Sequence, residues 1–171
     1  IGLNLYAEML NRAVQRLKQG EHTQPVNSRC SIEVPLSALI PDVYVPEADL
    51  RLHLYQRCQA LENTQALTAF KHELIDRFGR IPEEVKHLLR VREWQFKADK
   101  LGFSSMKSGK SFLTIALGDV PQLNIKKLIH LIQTQPEKFQ LKQKTKLLCR
   151  LEGVNLIKEI DNVLAKLEDI A

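Results

Sequence analysis

Residues 108–111, with the sequence Ser-Gly-Lys-Ser, end like the phosphate-binding P-loop of nucleotide hydrolases. That motif requires a glycine five residues before its Gly-Lys pair, and here Ser104 occupies that position. It also requires a helix directly afterwards, because the helix N-terminus holds the phosphate groups. The residues that follow, Phe112 to Leu117, are patterned as a strand, with Leu113, Ile115 and Leu117 expected to face the core. The segment is therefore predicted to be a hairpin turn and not a nucleotide-binding site.

The other residue types that could do chemistry show no productive spacing. Cys30, Cys58 and Cys149 lie far apart without a CxxC pair, and the five histidines are equally scattered, so no zinc-site spacing exists. The adjacent acids Glu83 and Glu84 suit the first turn of a helix. No nucleophile elbow of the GxSxG type occurs. We therefore expect no catalytic, cofactor-binding or metal-binding residues, and we expect the cysteines to be buried hydrophobic residues.

A compact charged group, Glu73, Asp76 and Arg77, is the strongest candidate for a contact site. On a helix from Thr64 to Phe78, these three residues lie on the flank away from an apolar stripe. The stripe consists of Leu67, Phe70, Leu74 and Phe78. Glu73 and Arg77 are also spaced for an exposed intrahelical ion pair worth about 0.3–0.5 kcal/mol. The pattern is compatible with this pair, with a protein contact, or with both.

Basic residues are concentrated toward the end of the chain. The net charge is +5, and residues 101–171 hold 11 basic against 7 acidic residues. The segment from Lys138 to Arg150 is predicted to be a hairpin and contains no acidic residue. It is either a solvated face or a contact for nucleic acid or an acidic partner, although Phe139 is expected to point inward and so to offer no stacking surface. The candidate contact residues are Lys142, Lys144, Lys146 and Arg150.

The periodicity of the apolar residues predicts an α+β fold, in which a small antiparallel sheet of about five strands in hairpins is backed by several helices. Helices are predicted over residues 47–61, 64–78, 82–101, 124–133 and 154–170. Strands are predicted over residues 29–34, 103–106, 112–117, 139–142 and 146–151. Asn63 is the expected N-cap of the second of these helices, Gly79 its left-handed terminator, and Pro82 the first residue of the next.

The first 27 residues are predicted to form a lead-in helix and a polar linker, and residues 28–171 one domain. The chain starts at Ile1, inside a helical pattern, so we expect it to be part of a larger protein. It contains no run of 18 apolar residues and no charged-then-apolar leader. We therefore expect a cytoplasmic location and no membrane partner.

A series of short motifs, in this order and at these spacings, resembles the carboxy-terminal (TRCF) domain of bacterial transcription-repair coupling factors, the Mfd family. The resemblance is weak from Lys142 onward. The motifs are Leu5-Tyr6, Met9-Leu10, Pro35, Leu39-Ile40-Pro41-Asp42, Tyr44-Val45-Pro46, Arg51-Leu52, Tyr55, Arg57, the ten residues 73–82, Leu101-Gly102, Gln135-Pro136, Phe139 and Leu141.

The resemblance implies a non-catalytic, autoinhibitory domain. In the family, the residues matching Glu73, Asp76 and Arg77 lie at the interface with an amino-terminal module similar to the repair protein UvrB. Docking there would mask the binding of UvrA until RNA polymerase is engaged. ATP and Mg would be used only by a translocase motor upstream, and residues 1–27 would come from that motor. RNA polymerase and DNA would be contacted through other domains of the parent protein. The alternative function is a nucleic-acid-binding module that uses the hairpin from Lys138 to Arg150.

Overall fold

The computed structural model describes residues 29–171. The predicted lead-in helix and linker, and the predicted boundary at residue 28, lie outside the described residues. The described part of the chain forms two compact units, one of residues 35–96 and one of residues 29–34 together with 97–171. Five helices and one five-stranded sheet are present in this part, so the predicted α+β class is confirmed.

The observed elements agree with the predicted ones to within two residues at every end. The helices are α1 (Ala48–Ala60), α2 (Thr64–Phe78), α3 (Glu83–Lys100), α4 (Ile125–Thr134) and α5 (Leu156–Asp169). The strands are β1 (Ser31–Glu33), β2 (Phe103–Ser108), β3 (Phe112–Leu117), β4 (Phe139–Lys142) and β5 (Lys146–Arg150).

The ends of α2 are set by the residues that the sequence indicated. Asn63 accepts a hydrogen bond from the backbone N–H of Ala66 at 2.8 Å, which satisfies one of the unpaired donors of the first turn. Gly79 ends the helix with φ 86° and ψ −156°. Its φ is positive as predicted, but its ψ is extended and not left-handed helical, a combination that essentially only glycine adopts. The carbonyl of Pro82 then accepts the N–H of Lys86 at 3.0 Å and opens α3.

The first unit has its own hydrophobic core, formed by one face each of α1, α2 and α3 and by the turns before α1. At its edge, the Tyr55 hydroxyl accepts a hydrogen bond from the backbone N–H of Ile40 at 2.6 Å. The buried Arg92 donates to the carbonyls of Gln59 and Leu61 at the end of α1. The core residues are Ala38, Ile40, Val45, Leu54, Cys58, Leu67, Phe70, Leu74, Ile81, Val85, Leu88 and Leu89.

The second unit contains the sheet, with strand order β1-β2-β3-β5-β4. The hairpin pairs β2–β3 and β4–β5 are antiparallel as predicted, and β3 pairs with β5 antiparallel as well. In contrast, β1 pairs with β2 in parallel, from Ser31 beside Ser105 to Glu33 beside Lys107. The sheet is therefore mixed, and the prediction of an antiparallel sheet was wrong for this strand. A parallel neighbour needs a long crossover connection, and residues 34–102 supply one.

The sheet has one buried and one open face, because side chains alternate along each strand. Helices α4 and α5 contribute Leu128, Ile160, Val163, Leu164 and Leu167 to the apolar side of this unit. The buried face of the sheet consists of Ile32, Met106, Leu113, Ile115, Leu147, Cys149 and Phe139. The opposite, open face consists of exposed and half-buried side chains.

Candidate functional site

Three charged side chains from two helices form a bonded network on the surface of the first unit. Arg57 of α1 donates both of its terminal nitrogens to the two carboxylate oxygens of Glu73 on α2, each at 2.6 Å. Arg77, one turn along α2, donates to the Oε1 atom of Glu73 at 3.0 Å. The expected pair between Glu73 and Arg77 therefore forms, and a bidentate contact from Arg57 adds to it.

Local packing places these side chains. Leu54 and Cys58 of α1 are buried, and Arg57 lies beside them at the edge of the core. Its guanidinium group lies 5.3 Å from the centre of the Phe70 ring, and that of Arg77 lies 5.0 Å from the centre of the Phe78 ring. Each cation is thus held between an aromatic ring and a carboxylate, which restricts its rotamers.

The network changes the proton affinity of its members. The hydrogen bond from Arg57, supported by a second from Arg77, lowers the pKa of Glu73 to about 2. The same hydrogen bond raises the pKa of Arg57 above its ordinary value. Both effects favour the charged forms, so the network stays ionised throughout the neutral pH range.

Asp76 lies outside this network. It is exposed, and within the described part of the chain it makes no hydrogen bond or ion pair. Arg77 uses one terminal nitrogen for Glu73, and its side chain is 41% exposed. The structure therefore brings Glu73 and Arg77 together and leaves Asp76 and part of Arg77 available to another molecule. Such a surface can form charge pairs with a partner, and it offers no nucleophile or proton relay.

Sequence reasoning missed Arg57 as a member of this cluster. Arg57 was noted only among the motifs of the resemblance. Its position between the apolar positions 54 and 58 of an amphipathic helix could have indicated a side chain at the core boundary. The register of α1 against α2, which brings residue 57 opposite residue 73, had no signal in the sequence.

The predicted basic hairpin is present, as β4 and β5, and contributes to the open face of the sheet. Lys142 of β4 lies directly opposite Lys146 of β5, and Arg150 of β5 lies opposite Phe112 of β3. All four side chains are exposed, while Lys144 lies in the turn with φ 60°. Phe112 was missed as an aromatic member of this face, although the alternation that sends Leu113 inward already indicated that Phe112 points outward.

The remaining candidates have structural roles. Gly109 lies in the turn between β2 and β3, so a strand follows the P-loop-like sequence. Glu83 forms an ion pair with Lys86 at 2.6 Å in the first turn of α3. Cys30, Cys58 and Cys149 are buried as predicted, and burial raises their thiol pKa values to about 12, 11 and 12 respectively.

Across residues 29–171, no group of histidine, cysteine and acidic side chains is arranged to hold a metal ion. None of the helices in these residues is both long and apolar enough to cross a membrane.

Comparisons with known proteins agree with the fold and the motifs. A family model described as the TRCF domain matches residues 34–128. The transcription-repair-coupling factor of Haemophilus influenzae is 35% identical over 139 residues, which cover 80% of this chain and 12% of that protein. Those of Escherichia coli and Myxococcus xanthus are each 31% identical, over 86% and 100% of the chain and 13% and 14% of their own lengths.

The chain thus spans about one-eighth of the length of these relatives. A crystal structure of the C-terminal domain of a transcription-repair coupling factor superposes with a TM-score of 0.71 and covers 84% of this chain and 92% of its own. Its sequence is 18% identical, so it establishes the likeness of the fold. The chain therefore belongs to the TRCF domain family, as its sequence motifs predicted.

Proposed function

We propose that this chain is a non-catalytic regulatory domain of a transcription-repair coupling factor that docks on the UvrB-like amino-terminal module of the same protein. Docking masks the surface that binds UvrA, and engagement of RNA polymerase releases it. The observation that carries the proposal is the preorganised charged surface of α2, in which Arg57 and Glu73 fix Arg77 beside Asp76, an exposed acid with no partner among residues 29–171. Membership of the TRCF domain family supports the placement of this chain within a transcription-repair coupling factor.

A charged surface of this kind suits a reversible contact. Two or three charge pairs across an interface, at about 1–2 kcal/mol each, supply the roughly 2.7 kcal/mol that corresponds to a closed population of 99:1. When the partner is on the same polypeptide, a short flexible linker gives an effective concentration in the millimolar range. A weak contact is then sufficient to keep the domain docked, and a competing ligand can still open it.

The direct test measures binding between the 171-residue chain and the separately expressed amino-terminal module by calorimetry. The variant Glu73→Ala/Asp76→Ala/Arg77→Ala removes the charge pairs, so its affinity should fall at least about thirtyfold. Glu62→Ala is the matched control, because Glu62 is an exposed acid in the loop before α2 and its loss should leave the affinity unchanged. Equal binding by the triple variant and the wild type would refute the proposed docking surface.

Masking is tested in the same system with UvrA. Added UvrA should displace the wild-type chain from the module, because the two compete for overlapping surfaces. Formation of a ternary complex of UvrA, module and chain would contradict masking while leaving the docking contact intact.

A further inference from the structure

The open face of the five-stranded sheet is a second charged surface, and the proposed docking function does not use it. Strand register arranges its residues on β3, β5 and β4 in three rows, because directly opposite residues share a face. The rows are Phe112 with Arg150, Thr114 with Leu148 and Gln140, and Ala116 with Lys146 and Lys142. The carbonyl of Lys138 accepts the N–H of Arg150 at 2.8 Å, which places Lys138 at the end of the first row.

The charge on this part of the face has one sign. Strands β3, β4 and β5 contain no acidic residue, and Lys142, Lys146 and Arg150 are exposed. Lys142 and Lys146 are direct cross-strand partners, an arrangement of like charges that is unfavourable in a sheet. On the opposite edge, Lys107 of β2 lies 3.7 Å from Glu33 of β1, so that end is close to neutral. A bound anion would relieve the repulsion at the β4 edge.

An aromatic ring lies among these cations. Phe112 is 38% exposed in a strand whose alternate residues Leu113 and Ile115 are completely buried. More than a third of Phe112 is therefore in contact with solvent, so part of its ring is accessible to another molecule. Its cross-strand partner is Arg150, so a ring and a guanidinium group, both able to stack on a planar base, belong to directly opposite residues on the same face.

We propose that this open face binds single-stranded nucleic acid, with Phe112 stacking on a base and the cations of β4 and β5 contacting phosphates. Cations that follow a backbone, together with an aromatic platform, are the combination by which sheets hold unpaired strands without sequence preference. A duplex hides the faces of its bases, so Phe112 contributes nothing to duplex binding. An acidic polypeptide would use the cations but would gain little from the exposed ring.

The test is fluorescence anisotropy of a labelled 12-nucleotide oligothymidine titrated with the 171-residue chain at low salt. With three or four phosphate contacts, the logarithm of the affinity should fall with the logarithm of the salt concentration with a slope of about −2 to −3. Phe112→Leu should weaken binding at least about fivefold, because stacking is lost while an apolar side chain remains. Lys142→Glu/Lys146→Glu should weaken binding further and make the slope shallower by about 1.4.

The matched control is Lys126→Glu/Lys158→Glu, which makes the same change of charge at exposed first-turn positions of α4 and α5, where acids are favourable. This control should bind the oligonucleotide at least ten times more tightly than Lys142→Glu/Lys146→Glu. The proposal is overturned if the wild type does not bind, or if Phe112→Leu binds as well as the wild type. It is also overturned if polyglutamate displaces the oligonucleotide and binds Phe112→Leu and the wild type equally, since the face would then be a site for acidic protein.

Discussion

Glu73 and Asp76 have different parts in the charged surface of α2, although both are acids on the same flank. Glu73 has both oxygens occupied by Arg57 at 2.6 Å, and one of them also accepts from Arg77. Asp76 has no such partner among the described residues. Glu73 is therefore a positioning residue that holds Arg77 in place, and Asp76 is the carboxylate that a partner can reach directly.

The low pKa of Glu73 predicts a pH-dependent contribution to stability. The folded chain lowers this pKa from 4.5 to about 2, so the stabilisation is fully present above about pH 5 and is lost as the pH falls toward 2. The free energy of unfolding of the wild type should exceed that of Glu73→Gln by about 1 kcal/mol at neutral pH, a modest value because the pair is partly exposed to solvent. Urea titrations at pH 7, 4 and 2.5 should show this difference shrinking.

The control for this measurement is Glu62→Gln, which changes an exposed acid in the loop between α1 and α2. Its free energy of unfolding should differ from that of the wild type by less than about 0.5 kcal/mol. A wild-type advantage over Glu73→Gln that persisted undiminished at pH 2.5 would show that the advantage does not come from the ionised carboxylate.

Two helix ends depend on glycine to different degrees, which provides a matched pair of variants. Gly79 after α2 and Gly102 after α3 both have positive φ, of 86° and 76°. A Cβ atom at Gly79 would meet nothing within 4 Å, whereas at Gly102 it would lie 2.6 Å from the carbonyl oxygen of Val120. Gly79→Ala should therefore cost only the backbone strain, about 1–3 kcal/mol. Gly102→Ala should cost about 2–5 kcal/mol, because a clash with the backbone is added.

Chemical denaturation of the two alanine variants measures this difference. A greater loss of stability in Gly102→Ala than in Gly79→Ala would reflect the close approach of residues 102 and 120. Equal losses of stability would mean that the segment after β3 moves away at little cost.

The sequence was sufficient to predict the secondary structure because the signals were local. The Asn63 cap, the positive φ of Gly79 and the alternation of β3 each arise within a few residues, and all are present. The direction of β1 could not be predicted, since alternation reports only which face a residue occupies and not the direction of the neighbouring strand. Arg57 was missed for a related reason, because its partner lies 16 residues away on another helix.

At the scale of the whole molecule, the two units carry surfaces of different chemistry. The first unit presents the mixed-charge cluster of Arg57, Glu73, Asp76 and Arg77, and the second presents the basic open face of the sheet. A mixed cluster favours a partner with complementary charges of both signs, which is typical of a specific protein contact. A surface of one sign favours a polyanion. The two proposed interactions can therefore be separated by substitution.

The proposed docking contact should weaken with salt, because its charge pairs lie at an exposed surface. The Debye length, over which exposed charges interact, falls from about 10 Å at 0.1 M salt to about 3 Å at 1 M. The affinity of the chain for the amino-terminal module, measured by calorimetry from 0.05 to 0.5 M salt, should fall steadily. Asp76→Ala should reduce the slope, while Lys142→Glu/Lys146→Glu should leave it unchanged. A salt-independent affinity would instead indicate an apolar contact, for which Val43 and Ile75, 89% and 41% exposed on the same unit, would be the residues to substitute.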